Sequence, residues 1–301
     1  ARDLGVWLGE AMLAEGAMPA GEFKKGHADT TPGVWATAQS VLAFLALADA
    51  TQEERCTVAA NRATEWLRRA IHEDEDIWTE FTEHNYSSPT YYTAVTHAML
   101  EAAHRTQNTT VRDAALAAVT RLAVDREDAG GFRNWGENRT DVAPLHTVAA
   151  TISGFIETGR LLGPAGADAL RIGKECSRML MLDQRANGKL AGGYDETWEA
   201  ARWYACPSGI AQIASLWLRE YIRDGDLFAL NSAFVAMEEL MKYQEVDPMD
   251  PDCNGAVPGS SPLWGPFEKM AYPTISSAHF VIAAIDADEA LQKLMERGAC
   301  E

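Results

Sequence analysis

Pro144-Leu145-His146-Thr147-Val148-Ala149-Ala150 sets a proline in front of an apolar run of helical length. The pattern recurs at Pro32-Gly33-Val34-Trp35-Ala36-Thr37-Ala38, Pro89-Thr90-Tyr91-Tyr92-Thr93-Ala94, Pro207-Ser208-Gly209-Ile210-Ala211 and Pro273-Thr274-Ile275-Ser276-Ser277-Ala278. The prolines are roughly 60 residues apart, about twice a helix plus its loop. Proline is tolerated at the first helical position because the amide there has no intrahelical acceptor, and Thr31 and Ser88 are suitable N-caps. Small residues follow each proline, and the runs are apolar nearly all round, as in Val41-Leu42-Ala43-Phe44-Leu45-Ala46-Leu47. A helix without a polar face must be covered on every side, so these are inner helices.

Between them lie amphipathic, charge-bearing segments at 53–72, 110–124, 165–183, 226–244 and 286–298, with 2–14 ahead of the first inner helix. Their polar stripes mark outer helices. Inner and outer helices alternating at a fixed repeat form either an open solenoid or a closed ring. Solenoid repeats run to roughly 30–45 residues, whereas a repeat near 60 with long polar-aromatic loops before each inner helix suits a ring. The expected fold is all-α, an α/α toroid of about five to six helical hairpins in a single domain over 1–301, with its chemistry in a central cavity.

The chain of 301 residues is 47% apolar, which one large hydrophobic core can account for. Its 44 acidic against 26 basic residues leave a net charge of −18. That charge repels nucleic acid and acidic membrane surfaces, and no basic patch offsets it. No run of about 18 uncharged apolar residues is present, so no membrane span is expected. The five cysteines include no C-x-x-C pair, which argues against a disulfide framework or zinc knuckle and favours a reducing, cytoplasmic setting.

The loops before the inner helices combine aromatics with ionisable groups. Gly130-Gly131-Phe132 and Gly192-Gly193-Tyr194, each leading to an apolar helix, resemble the repeats of the terpenoid cyclase and protein prenyltransferase superfamily, whose members fold as α/α toroids. The resemblance covers nearly the whole chain and implies fold more than activity, because the same ring also carries glycoside hydrolases, polysaccharide lyases and sugar epimerases. Gly259-Ser260-Ser261-Pro262-Leu263-Trp264-Gly265, leading to Tyr272-Pro273, resembles a group of bacterial squalene-cyclase-like proteins associated with exopolysaccharide biosynthesis.

Class II cyclisation needs a D-x-D-D element, which is missing; Glu73-Asp74-Glu75-Asp76 reads as a solvated run at an outer-helix end. Class I ionisation needs D-D-x-x-D to hold magnesium, and that spacing is missing too. The zinc site of the prenyltransferases would need Asp two residues before Cys206, where Tyr204 stands. No metal and no cofactor are therefore expected.

Carbohydrate chemistry asks for aromatic platforms, paired carboxylates, and Arg, Asn or His to hold hydroxyls and carboxylates. The candidate catalytic residues are Asp195, Glu196, Asp141 and Glu83, with His146 and Tyr204 as helpers. Candidate binding residues are Trp78, His84, Trp135, Arg139, Trp198, Arg202, Trp203, Trp264 and Tyr272. His97 and His279 fall mid-helix and read as packing residues. The leading reading is a carbohydrate-active lyase, hydrolase or epimerase acting on an oligosaccharide or small molecule. An isoprenoid-handling cyclase or prenyltransferase is the alternative, and a binding or scaffold protein is the third.

Overall fold

The computed structural model describes residues 2–20, 31–71, 77–78, 88–136, 142–247, 249 and 251–298. The described elements are helical apart from two-residue strand pairs. The chain divides into two compact units, one comprising 1–126 with 151–173 and the other 127–150 with 174–301.

The first unit holds α1 (Arg2–Ala11), β1 (Met18–Pro19), β2 (Pro32–Gly33), α2 (Val34–Thr51), α3 (Glu54–Arg69), α4 (Thr93–Thr106) and α5 (Thr109–Leu122). It also includes most of α6 (Leu145–Leu162) and the start of α7 (Ala167–Asp183). Inner helix α2 packs on outer helix α3 and on the next inner helix, α4. Among the described helices, α2 alone is long and apolar enough to cross a membrane. Its packing gives that apolarity a use, since Val34, Val41, Phe44 and Leu45 are buried. Outer helix α3 buries Cys56, Ala60, Ala63, Trp66 and Leu67 on one face, as its amphipathic sequence requires.

The small residues of the inner helices permit close approach. A Cβ on Gly154 of α6 would collide with the Thr93 hydroxyl and the Ala94 amide of α4. Thr93 Oγ1 donates to the Thr151 carbonyl at 3.0 Å, and the hydroxyls of Thr96 and Thr158 meet at 2.7 Å. Such buried hydroxyls need partners, and the neighbouring helix supplies them.

The second unit holds β3 (Ala143–Pro144), the first residues of α6, the rest of α7, β4 (Gly193–Tyr194), α8 (Pro207–Asp224), α9 (Leu227–Met241) and α10 (Thr274–Gly298). Inner helix α8 is buried along most of its length and packs on α9 and α10. Gly209 of α8 sits so near Leu145 and the His146 amide that a Cβ there would stand 2.7 Å from them. Gly225, at φ 77°, caps α8 through its amide to the Tyr221 carbonyl, and Asp226 caps α9 by accepting from Phe228 and Ala229.

The repeat prolines mark the inner helices but do not all begin them. Pro207 lies in the first turn of α8. Pro32 and Pro144 sit one step earlier, in strands: β2 pairs antiparallel with β1, and β3 with β4. Pro89 precedes a single 3-10 turn, Thr90–Tyr92, before α4 begins. Thr31 and Ser88 accordingly do other work, the Thr31 carbonyl accepting from Ala20 and the Ser88 hydroxyl from the Trp78 amide.

A second departure concerns the last hairpin. The expected inner helix after Pro273 and outer helix over 286–298 are one continuous helix, α10. Nothing between Thr274 and Glu296 is glycine or proline, so no residue breaks it. Asp286, which read as part of an outer polar stripe, is buried and accepts from Ser215 and from Arg219 Nε at 3.0 Å on α8.

Candidate active site

The second unit gathers His146, Cys206, Phe267 and His279 around the start of α6. His146 enters just after the β3–β4 pair, where the Leu145 amide donates to the Gly192 carbonyl at 2.8 Å. Its ring is half-buried, with Nδ1 3.9 Å from the Cys206 sulfur and its centroid 4.1 Å from that of Phe267. His279, in the second turn of α10, makes no hydrogen bond with the described residues. Its burial pushes its pKa down to about 4, and the charge of His146 adds to the shift. Burial thus favours the neutral form of the His279 imidazole. The sequence reads His279 as a packing residue, and its burial agrees with that; its electrostatic link to His146, on a different helix, has no local signature.

Tyr204 joins this group to a cleft. It is buried, its ring packs where Gly192 leaves room for it, and burial raises its phenol pKa, with Cys206 adding to the rise. The cleft beside it has a volume of about 280 Å³ and is lined in part by Arg185, Lys189, Arg202, Trp203, Tyr204 and Tyr243. Ser261 and Pro262 close it on the side of the loop that carries Phe267. Trp203 leaves 62% of its surface exposed and packs at a tilt of 54° on Tyr204 with centroids 4.7 Å apart.

The other expected site residues fall into distinct environments. Asp195 is a loop staple: its Oδ1 accepts from the Thr197 amide at 2.8 Å, the Thr197 hydroxyl at 2.9 Å and the Glu199 amide at 2.7 Å. Glu196 is half-buried in that loop, its carbonyl against Gly131. Arg202 pairs with Asp183, which also accepts from the Tyr194 hydroxyl at 2.8 Å.

Trp78, expected as a platform, is fully buried in the first unit, its indole donating to the Leu67 carbonyl at 3.0 Å. Trp135 is also core, packed on Phe132 and Trp198. Neither can stack on a sugar in this conformation. Trp198 is half-buried at φ 68°, a strained backbone for a bulky residue, and its indole N–H is buried without a partner among the described residues. Trp264 is 64% exposed, and the Tyr272 hydroxyl lies 3.4 Å from Glu245 Oε2. Glu83, His84, Arg139 and Asp141 lie outside the described residues.

The sequence reading did not single out Arg185 and Lys189. The Asn187-Gly188 dipeptide between them was a legible turn signal. Gly188 adopts φ 86°, its amide donates to the Arg185 carbonyl at 2.8 Å, and the Arg185 amide donates to the Lys189 carbonyl at 3.1 Å. The turn brings the two cations side by side.

No family model matches the chain, and no curated protein matches it. Solved structures do. A D-mannose isomerase superposes with TM-score 0.68 at 12% identity, over 97% of this chain and 82% of that one. The cellobiose 2-epimerase from Spirochaeta thermophila DSM 6192 gives TM-score 0.64 at 16% identity, over 95% and 78%. The unsaturated glucuronyl hydrolase from Bacillus sp. GL1 gives 0.65 at 16%, over 88% and 79%. None of these three is a terpenoid cyclase or prenyltransferase. At such identities the likeness establishes the fold, which is the all-α architecture of the α/α toroid enzymes.

Proposed function

We propose that this chain is a carbohydrate-active enzyme that moves a proton at a sugar carbon, as an epimerase, isomerase or lyase does, with His146 as the general base. The observation that carries this reading is the His146–His279 pair. The charge of His146 lowers the His279 pKa, so a proton on one imidazole disfavours a proton on the other. Such a pair can take a proton from a carbon next to a carbonyl or carboxylate, leaving an enediolate, and then return a proton to that carbon or assist loss of a leaving group. Similarity to a D-mannose isomerase and a cellobiose 2-epimerase supports the sugar as substrate class.

Hydrolysis by two carboxylates is the less favoured carbohydrate chemistry here. Asp195, its leading candidate, has one carboxylate oxygen occupied by three donors. The isoprenoid alternative asked for aromatics lining a dry cavity, whereas Trp78 and Trp135 fill the core of their own units.

Incubation with a panel of reducing aldoses and uronides in D2O tests the proposal. Proton NMR should show either solvent deuterium replacing a carbon-bound hydrogen of one substrate or, for elimination, the vinylic proton of an unsaturated product, and His146→Gln should abolish it. Cleavage that gives saturated products without deuterium on carbon would point to hydrolysis and refute the imidazole mechanism.

A further inference from the structure

Resting on that reading, we infer that the cleft formed by Arg185, Lys189, Arg202 and Trp203 is a subsite for an anionic sugar, with the Arg185 guanidinium as the clamp on its acidic group. The chain carries a net charge of −18, yet among the described residues this cleft is lined by three cations and no carboxylate. A cationic cleft on an acidic protein repels neither a uronate nor a sugar phosphate and concentrates both.

The three cations are not equivalent. Arg202 is held by Asp183, and Lys189 lies 3.6 Å from the buried Glu239. Glu239 is further shared with Lys242 at 3.1 Å and with the Tyr243 hydroxyl at 2.8 Å. Arg185 has no ion pair and no side-chain hydrogen bond among the described residues, so its fork of donors is unspent. A guanidinium binds a carboxylate through two parallel hydrogen bonds, a geometry no lysine reproduces.

Trp203 supplies the second half of the site. Leaving an indole 62% exposed forgoes burial, and it stands at the lip of the same cleft. An aromatic face beside a cation suits a sugar ring bearing an acidic substituent: the ring's apolar face rests on the indole while the acid reaches the guanidinium. The volume of about 280 Å³ is at the low end of small-molecule sites, roughly 300–1,000 Å³, which suits the end of a glycan. Tyr204 lines the cleft two residues before Cys206, the contact of His146, so one wall of the cleft and one contact of the imidazole come from the same short segment.

Isothermal titration of the full chain with trigalacturonate, cellotriose and galactose 1-phosphate tests the inference. Trigalacturonate should bind more tightly than cellotriose. Arg185→Ala should weaken trigalacturonate at least about tenfold while leaving any cellotriose binding unchanged, and Arg185→Lys should fall between. Tighter binding of galactose 1-phosphate than of trigalacturonate, equally dependent on Arg185, would support the anion subsite and make phosphate its ligand group. Equal binding of acidic and neutral sugars, or an Arg185→Ala protein of unchanged thermal stability that binds trigalacturonate normally, would overturn it. The two proposals fail separately. His146-dependent deuterium exchange on a neutral sugar with no preference for acid would overturn the subsite alone, whereas Arg185-dependent binding with neither exchange nor elimination on any sugar would overturn the catalytic reading alone.

Discussion

Acidification should destabilise the fold through His279, and the effect can be isolated by substitution. In the folded chain burial, aided by the charge of His146, holds the His279 pKa down to about 4; in the unfolded chain it returns to 6.5. Between those values the unfolded state binds a proton that the folded state refuses. Falling pH therefore favours unfolding, beginning near 6.5 and complete below about 4. Each pH unit in that window costs about 1.4 kcal/mol, so the whole window removes up to about 3 kcal/mol, less the screening that partial exposure allows. That is a large share of the 5–15 kcal/mol that ordinary domains possess, as an order of magnitude.

The measurement is urea denaturation of the wild type and His279→Gln at a pH of about 7 and again at about 4.5. Acid also neutralises part of the −18 net charge, but that change is common to both proteins and cancels in the difference. His279→Gln should be the less stable protein at neutral pH if it costs packing, and should recover relative to wild type by up to about 2 kcal/mol on acidification. Parallel pH dependences for the two proteins would show that His279 is not held neutral by the fold. The pairing with His146 would then lose its electrostatic basis.

Two further substitutions separate structural from chemical roles. Asp195→Asn should retain turnover within a few-fold, and Asp195→Ala should lower stability by about 1–2 kcal/mol, because its oxygen serves amides of its own loop; abolition of turnover by Asp195→Asn at unchanged stability would contradict that assignment. Ser260→Ala should cost about 1–3 kcal/mol in thermal or chemical denaturation, since the buried Ser260 hydroxyl donates to the Phe267 carbonyl at 2.6 Å and accepts from its amide at 3.1 Å. It should also lower kcat by loosening Phe267 over His146, and an unaltered kcat would show that this ring does not position the imidazole.

The architecture was legible because it is periodic. A helix apolar on all sides must be inner wherever it lies, so Pro144 and Pro207 announced their helices without any knowledge of neighbours. What remained illegible depended on who meets whom. The prolines at 32 and 144 entered strand pairs because Met18–Pro19 and Gly193–Tyr194 happen to lie opposite them. Trp78 looked like a platform in a polar loop, but the Leu67 carbonyl draws its indole into the core. Asp195 carried a local warning, Thr two residues on, that its carboxylate would staple its own turn. His279 carried none, since no local pattern shows that an imidazole on a late helix feels the charge of one at the start of α6.

One wall of the cleft and two contacts of His146 are tied to each other by backbone as well as by side chains. Ala205 and Ser261 exchange two main-chain hydrogen bonds, of 2.7 and 3.0 Å, between the segment bearing Tyr204 and Cys206 and the loop bearing Phe267. Tyr204 in the cleft wall and Cys206 against His146 flank the bridged Ala205, so one short bridge bears on both. Phe267 packs on the same ring, centroids 4.1 Å apart and planes at 33°, from a loop pinned internally by Ser260. A base that must meet one particular carbon–hydrogen bond needs its distance from the substrate anchor fixed to a fraction of an ångström, and flexible side chains cannot supply that alone. The bridge ties the segment that carries Trp203, Tyr204 and Cys206 to the loop that carries Phe267, so loosening Ser260 should disturb the cleft wall and the contacts of His146 together.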